Sequence, residues 1–337
     1  MIGQGDHIQV VQAALGSHLM RPVCVIFGPS GVGKTTLARL IAMWQCCTNR
    51  TEEPCGECQN CTAILDDTHP DVVEFDGGTY TSVEHIRSIT SSINYTTANF
   101  NTNAQKVYIL DEVHMISRHA MTALLKEFEG DLKSVQFILA TTNIEKLPVA
   151  IVSRALPVRL GPVSESDLSK YISIVAQSNG YAISSPAVDA IVYCADGSVR
   201  QALSLFEQVS IVSRNIDENM VRRLSGLALR ESISSIVESL ENRSLEALLS
   251  NLGSITDADP ENVVAQVLSE IHVRIKNKNA SKMLIVIGNL LAEGAITIHN
   301  LPYSKKLLEI IFGYALLKAQ QILPETNLSQ LAEKMFK

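Results

Sequence analysis

The sequence predicts an α/β protein, with a doubly wound parallel-sheet domain over residues 1–162 and helices from there to the end. Three observations predict it. The apolar run Val23–Phe27 leads through a glycine-rich loop into a helix-like stretch, Leu37–Met43. Further short apolar runs then alternate with helical stretches, the mark of β-α-β units. After Gly161-Pro162 the strand signals stop.

Residues 1–22 read as a short opening helix, with Val10, Val11, Ala14 and Leu15 as its apolar stripe. The loop that follows the first strand is Gly28-Pro29-Ser30-Gly31-Val32-Gly33-Lys34-Thr35-Thr36, which fits G-x-x-x-x-G-K-[ST]. Its glycines let the backbone curl so that successive N–H groups point inward, and the following helix adds the positive end of its dipole. That is a phosphate cradle. Lys34 is placed to neutralise the β- and γ-phosphates of ATP, and Thr35 to hold Mg²⁺. A bare glycine turn is the plain alternative; the Lys-Thr register and both flanks weigh against it.

Next come Cys46, Cys55, Cys58 and Cys61. Two C-x2-C steps in series with a cysteine upstream suit a tetrahedral Cys₄ zinc site, and Cys47 is an alternative fourth ligand. Leu65 stands where the ferredoxin spacing needs another cysteine, which weighs against an iron–sulfur cluster. A redox dithiol would not call for four thiols. A closed Cys₄ shell leaves no open position, so the expected role is structural.

Val72–Phe75 is the second strand, ending at Asp76-Gly77-Gly78, and a helix is expected through His85, Ile86 and Ile89. Lys106–Leu110 is the third strand and runs into Asp111-Glu112. Parallel strands present their carboxyl ends along one edge, where ligands bind. Asp111 is thus expected to face Mg²⁺ and Glu112 to polarise a water. A helix over Ala120–Phe128, a fourth strand over Gln136–Ala140 ending in Thr141-Thr142-Asn143, and a fifth over Pro157–Leu160 complete the domain.

Ser164 with Asp167, and Ser185-Pro186, look like helix starts. Ser198-Val199-Arg200-Gln201 repeats the capping pattern and sets Arg200 in a first turn. A cation there opposes the helix dipole unless an anion, such as a phosphate, partners it. From residue 216 the chain reads as all helix. Leu245, Leu248, Leu249 and Leu252 form one stripe, Asp259-Pro260 starts the next helix, and Val264, Val267, Leu268 and Ile271 line it. Met283–Leu291 and Leu307–Leu317 are apolar around most of the helix and are expected to be buried.

The 337 residues are 46% hydrophobic and 19% charged, which excludes a disordered chain. The net charge is −7, so any contact with DNA must come from a local patch or the inner face of an assembly. No apolar run is long enough for a membrane span, and the N-terminus lacks a signal-peptide layout. A cytoplasmic protein that does not engage membranes is expected.

The combination of motifs resembles the AAA+ ATPase subunit of bacterial sliding-clamp loaders, the gamma/tau family of DNA polymerase III. The matching residues are Gly28–Thr36, the inserted cysteines, Asp111-Glu112-Val113-His114-Met115, Thr122–Lys126, Ala140-Thr141-Thr142, Lys146-Leu147-Pro148, Ser153-Arg154 and Gly197–Leu203. The resemblance implies an ATPase domain (1–162, knuckle 46–61), a helical lid (163–215) and an all-α collar for oligomerisation (216–337). It implies that Thr142 senses the γ-phosphate, that Arg200 is the lid sensor, and that Arg154 is an arginine finger reaching a neighbour's ATP. It also implies a ring of clamp-loader subunits, a pentamer, acting on a sliding clamp and primer–template DNA. The chain departs from the family at Ala155, where a cysteine is usual, and at Glu127–Gly130, and it lacks the usual basic-proline opening before Gly3-Gln4. With the sequence ending after the collar, a compact phage version without a tether extension is the expectation. An AAA+ helicase loader or other DNA-remodelling ATPase, and a non-hydrolysing structural clamp-loader subunit, are the competing readings.

Overall fold

A computed structural model describes residues 1–17, 19–79, 106–130, 132, 135–255, 258–277, 281–298 and 305–322. The helix expected through His85, Ile86 and Ile89 lies outside the described residues. The chain divides into two compact units, 1–179 with 191–206, and 180–190 with 207–337.

The first unit runs α1 (Gly5–Gly16), β1 (Val23–Phe27), α2 (Lys34–Cys46), α3 (Gln59–Leu65), β2 (Val72–Asp76) and β3 (Lys106–Asp111). A 3-10 turn (Val113–Met115), α4 (Arg118–Phe128), β4 (Val135–Thr141), a second 3-10 turn (Ile144–Lys146), α5 (Val149–Arg154), β5 (Leu156–Arg159) and α6 (Glu165–Ser178) follow. The five strands are all parallel, in the order β2-β3-β4-β1-β5.

Central strands of a parallel sheet are buried on both faces, so their sequences are continuous apolar runs rather than alternations. The pleat sends Cys24, Ile26, Ile109 and Ile138 to one face, against Val11, Leu37 and Ile41 of α1 and α2. Val25, Leu110, Phe137 and Leu139 go to the other, against Leu124 of α4 and Ile151 of α5. The sheet is therefore doubly wound, as expected. Gln136 is the polar exception inside β4, 2% exposed; its amide donates to the carbonyls of Arg21 and Pro22 at 2.9 and 3.1 Å. Phe27 pairs with Thr141, and Asp76 with Asp111. The phosphate loop, Asp111 and the end of β4 thus share one edge.

α7 (Ser185–Ala195) and α8 (Val199–Val212) follow α6. In the second unit β6 (Ala182–Ile183) pairs in parallel with β7 (Asn215–Ile216). Strands therefore do recur after Gly161-Pro162, but two residues are too few to carry a hydropathy pattern. α9 (Glu218–Leu224), α10 (Arg230–Glu241), α11 (Leu245–Ser254), α12 (Pro260–Lys276), α13 (Lys282–Ile298) and α14 (Lys305–Ile322) are helical as expected. Their core holds Ile236, Leu240, Leu248, Val267, Ile287 and Phe312.

Several positions differ from the expectation. Ser184, not Ser185, caps α7: the Ala187 N–H donates to Ser184 Oγ at 3.3 Å. Val10 and Leu249 are exposed, because Val11 with Leu15 and Leu248 with Leu252 already fill the inward faces. α14 is not buried all round. Leu308, Phe312 and Leu316 face the core, while Ile310, Tyr314 and Leu317 are 65%, 56% and 49% exposed on the other side.

Candidate functional site

The phosphate loop owes its shape to three glycines at positive φ. Gly28, Gly31 and Gly33 have φ of +155°, +76° and +103°. A Cβ on Gly28 would strike the Leu160 carbonyl, and one on Gly31 would strike Ser198 Oγ. Gly33 precedes α2 and offers no side-chain cap, so the first N–H groups of α2 stay open to an anion.

Lys34 is the first residue of α2 and only 5% exposed. Its Nζ donates to the carbonyls of Gly28 at 3.1 Å and Pro29 at 2.9 Å. Burial holds its ammonium below the usual lysine range, Glu112 and Asp111 raise it again, and Arg200 lowers it. Thr35 Oγ1 donates to Asp111 Oδ2 at 2.5 Å. Asp111 Oδ1 accepts the Glu112 N–H at 2.8 Å, and Thr142 Oγ1 donates to Glu112 Oε2 at 3.3 Å.

Arg200 sits in the first turn of α8, where Ser198 Oγ accepts the Gln201 N–H at 3.3 Å. The Arg200 N–H donates to the Gly31 carbonyl at 3.3 Å. Lys34, Thr35, Asp111, Glu112, Thr142 and Arg200, named from sequence, thus gather at one sheet edge. Arg154 does not join them. It ends α5 on the surface, with Glu129 at 3.5 Å and the Ala150 carbonyl at 3.2 Å as its partners.

Two residues not named as site residues make contacts near this edge. Gln4 is 2% exposed and ties the start of α1 to the end of β5, donating to the Gly161 carbonyl at 2.7 Å. His114 lies 3.3 Å from Glu112 Oε2 and 3.0 Å from Thr141 Oγ1. It also lines a cavity of about 630 Å³ with Ile116, Arg118, Met121 and Leu147. The sequence signals for His114 were its place three residues after Asp111 and its membership of the matching stretch Asp111–Met115, neither of which assigns it a task.

The cysteine cluster forms, with one correction. The thiols within 4.8 Å of one another are Cys47, Cys55, Cys58 and Cys61, not Cys46. Cys46 is the last residue of α2 and packs in the core, where burial pushes its thiol up to about 12. Cys47 leaves the helix in extended conformation, φ −62° and ψ 128°, and turns to the knuckle. Its Sγ lies 3.5 Å from Cys55 and 4.0 Å from Cys58. Burial works against ionisation of Cys58, but hydrogen bonds from Cys61 and Thr48 bring it down to about 5. Four thiolates around zinc at ~2.3 Å stand about 3.8 Å apart, so the cluster fits that ion.

A family profile described as "DNA polymerase III, delta subunit" matches residues 3–164. DNA polymerase III subunit tau/gamma of Haemophilus influenzae is 33% identical over 276 residues, 81% of this chain and 40% of that protein. DNA polymerase III subunit gamma of Buchnera aphidicola subsp. Baizongia pistaciae is 32% identical over 276 residues, 81% of this chain and 74% of that protein. The chain thus spans less than half the length of the first relative and about three quarters of the second. A solved structure of a RuvB variant from Thermotoga maritima superposes with a TM-score of 0.50 at 19% identity, over 79% of this chain and 88% of that one. At that identity the likeness bears on the fold alone, a parallel-sheet AAA+-like architecture. A third of the residues identical across most of two whole chains is common descent, and the chain belongs to the gamma/tau family of DNA polymerase III subunits.

Proposed function

We propose that the chain is the ATP-hydrolysing subunit of a sliding-clamp loader. It would use ATP binding and hydrolysis to open the clamp and set it on primer–template DNA during replication. Family membership supports this reading. The observation that carries it is the Thr35–Asp111 contact at 2.5 Å beside the buried Lys34, with Glu112 next in the chain.

Lys34 rests on the carbonyls of Gly28 and Pro29. Phosphate oxygens are stronger acceptors and would draw it across the loop. The N–H groups of Gly28–Thr36 add further donors. Thr35 and Asp111 are oxygen donors of the kind Mg²⁺ takes, and the bound ion would supply charge neutralisation at the β- and γ-phosphates. Glu112 would orient a water for attack on the γ-phosphorus and accept its proton as the bond to the β-phosphate oxygen breaks. Thr142, beside Glu112, would report the γ-phosphate. Arg200 would gain an anionic partner, which its first-turn position lacks among the described residues.

Arg154 is exposed and remote in its contacts, which suits a finger lent to the next subunit's ATP in a pentameric ring. The cysteine cluster would hold zinc as a structural knuckle. We assign residues 1–162 to the ATPase part, 163–215 to a lid and 216–337 to a collar that binds neighbouring subunits. No helix among the described residues is long and apolar enough to cross a membrane, in keeping with cytoplasmic work.

Lys34→Ala tests the reading in the assembled complex with clamp and primed DNA. We expect ATP binding and clamp loading to be lost together. Loading at the wild-type rate would make the chain a structural subunit. ATPase activity stimulated by DNA but indifferent to any clamp would make it a helicase loader or another DNA-remodelling motor.

A further inference from the structure

We infer that His114 is a positioning residue for hydrolysis, its Nδ1–H holding the Glu112 carboxylate against the end of β4. The inference rests on the proposed role of Glu112 in activating water.

The hydrogen-bond accounting fixes the tautomer. His114 Nδ1 lies 3.3 Å from Glu112 Oε2, a contact that an Nδ1–H favours because a carboxylate oxygen accepts. It lies 3.0 Å from Thr141 Oγ1, which is fully buried. Thr141 spends its own hydrogen on the Asn143 carbonyl at 3.2 Å and accepts the Asn143 N–H at 3.0 Å. One lone pair remains on Thr141 Oγ1, so the single Nδ1–H is its donor and is shared with Glu112 Oε2 in a three-centre contact whose shorter arm is Thr141. The imidazole is thus pinned to a rigid strand end by the same nitrogen that touches Glu112.

Glu112 needs such a partner. Its backbone is left-handed, φ +43°, and its side chain is 34% exposed. Among the described residues, only Thr142 Oγ1, itself on the surface, holds the same oxygen besides His114. His114, with its side chain 10% exposed, is the stiffer of the two donors. A neutral imidazole suffices, so the role needs no change of charge.

Packing alone would favour any side chain of histidine's size. Positioning requires a donor at one place. Asparagine can put its amide nitrogen near the Nδ1 position, whereas glutamine reaches the Nε2 position. The test measures kcat, KM and ATP affinity of the full-chain assembly with His114→Asn, His114→Gln and His114→Ala. Each is made alone and with Glu112→Ala, the double variants being read by single-turnover hydrolysis. We expect H114A and H114Q to lose about tenfold to a hundredfold in kcat at unchanged ATP affinity, within the span a general base supplies. H114N should stay within about threefold of wild type, and no H114 variant should lose more once Glu112 is gone. H114Q equal to or better than H114N overturns the inference. So does wild-type or raised kcat in H114A, or an undiminished loss on top of Glu112→Ala. If Glu112→Ala alone keeps wild-type turnover, the reading of Glu112 itself has failed; if that variant is inactive and the Asn/Gln contrast is absent, only the role of His114 has.

Discussion

Cys46 and Cys47 are neighbours with opposite fates. Successive helix residues are rotated by about 100°, so one thiol ends up in the core and the next at the ligand cluster. The two C-x2-C steps made Cys55, Cys58 and Cys61 legible in the sequence. The fourth ligand was not legible, because the intervening loop can absorb one residue more or less and only the point where α2 ends decides. Cys47→Ser should therefore drop zinc below one per chain by metal analysis. Cys46→Ser should keep the metal and cost about 1–3 kcal/mol of stability from a hydroxyl buried in the core; metal lost only from Cys46→Ser would reverse the assignment. The same contrast separates Lys34 from His114. A motif of fixed spacing announces Lys34, whereas the position of His114 depends on Thr141 of a different strand, which no local spacing encodes.

Elements were readable wherever a physical pattern spans enough residues. β1, β3 and β4 are buried on both faces, so unbroken apolar runs gave them away. β6 and β7, two residues each, left no trace. α14 shows the limit of composition: it is apolar nearly all round, yet Ile310, Tyr314 and Leu317 face outward. Composition tells how much apolar surface a helix has, not how much its own chain covers. Cap chemistry fared better, since it is local. Ser164 accepts the Asp167 N–H at 3.2 Å and donates to the Asp167 carboxylate at 2.8 Å, starting α6 where the S-x-x-D pattern set it. Ser164→Ala should lower stability by about 0.5–2 kcal/mol in urea melts with little change in m-value. A variant as stable as wild type would mean that α6 is held by packing of Leu168 and Ile172 alone.

At the scale of the whole molecule Arg154 stands apart from the candidate site. One edge of the sheet gathers Lys34, Thr35, Asp111, Glu112 and Arg200, while Arg154 stands on the surface with Glu129 and its own helix for partners among the described residues. If Arg154 serves a neighbour, two defects that lie on one chain act in two different sites. Lys34→Ala removes the phosphate ligand from a subunit's own pocket. Arg154→Ala leaves that pocket's ATP affinity nearly intact and removes the charge that it lends next door, worth about 10³-fold or more in turnover for arginine fingers. Homogeneous assemblies of either variant should therefore be inactive. In a mixture, some interfaces pair an Arg154→Ala subunit, whose pocket is whole, with a Lys34→Ala neighbour, whose Arg154 is whole. Those interfaces hold a complete site, so mixing two inactive preparations should restore part of the steady-state ATPase activity, with a maximum at intermediate ratios. Mixtures that stay inactive at every ratio, while native mass measurement shows both variants in one ring, would place Arg154 outside the shared site.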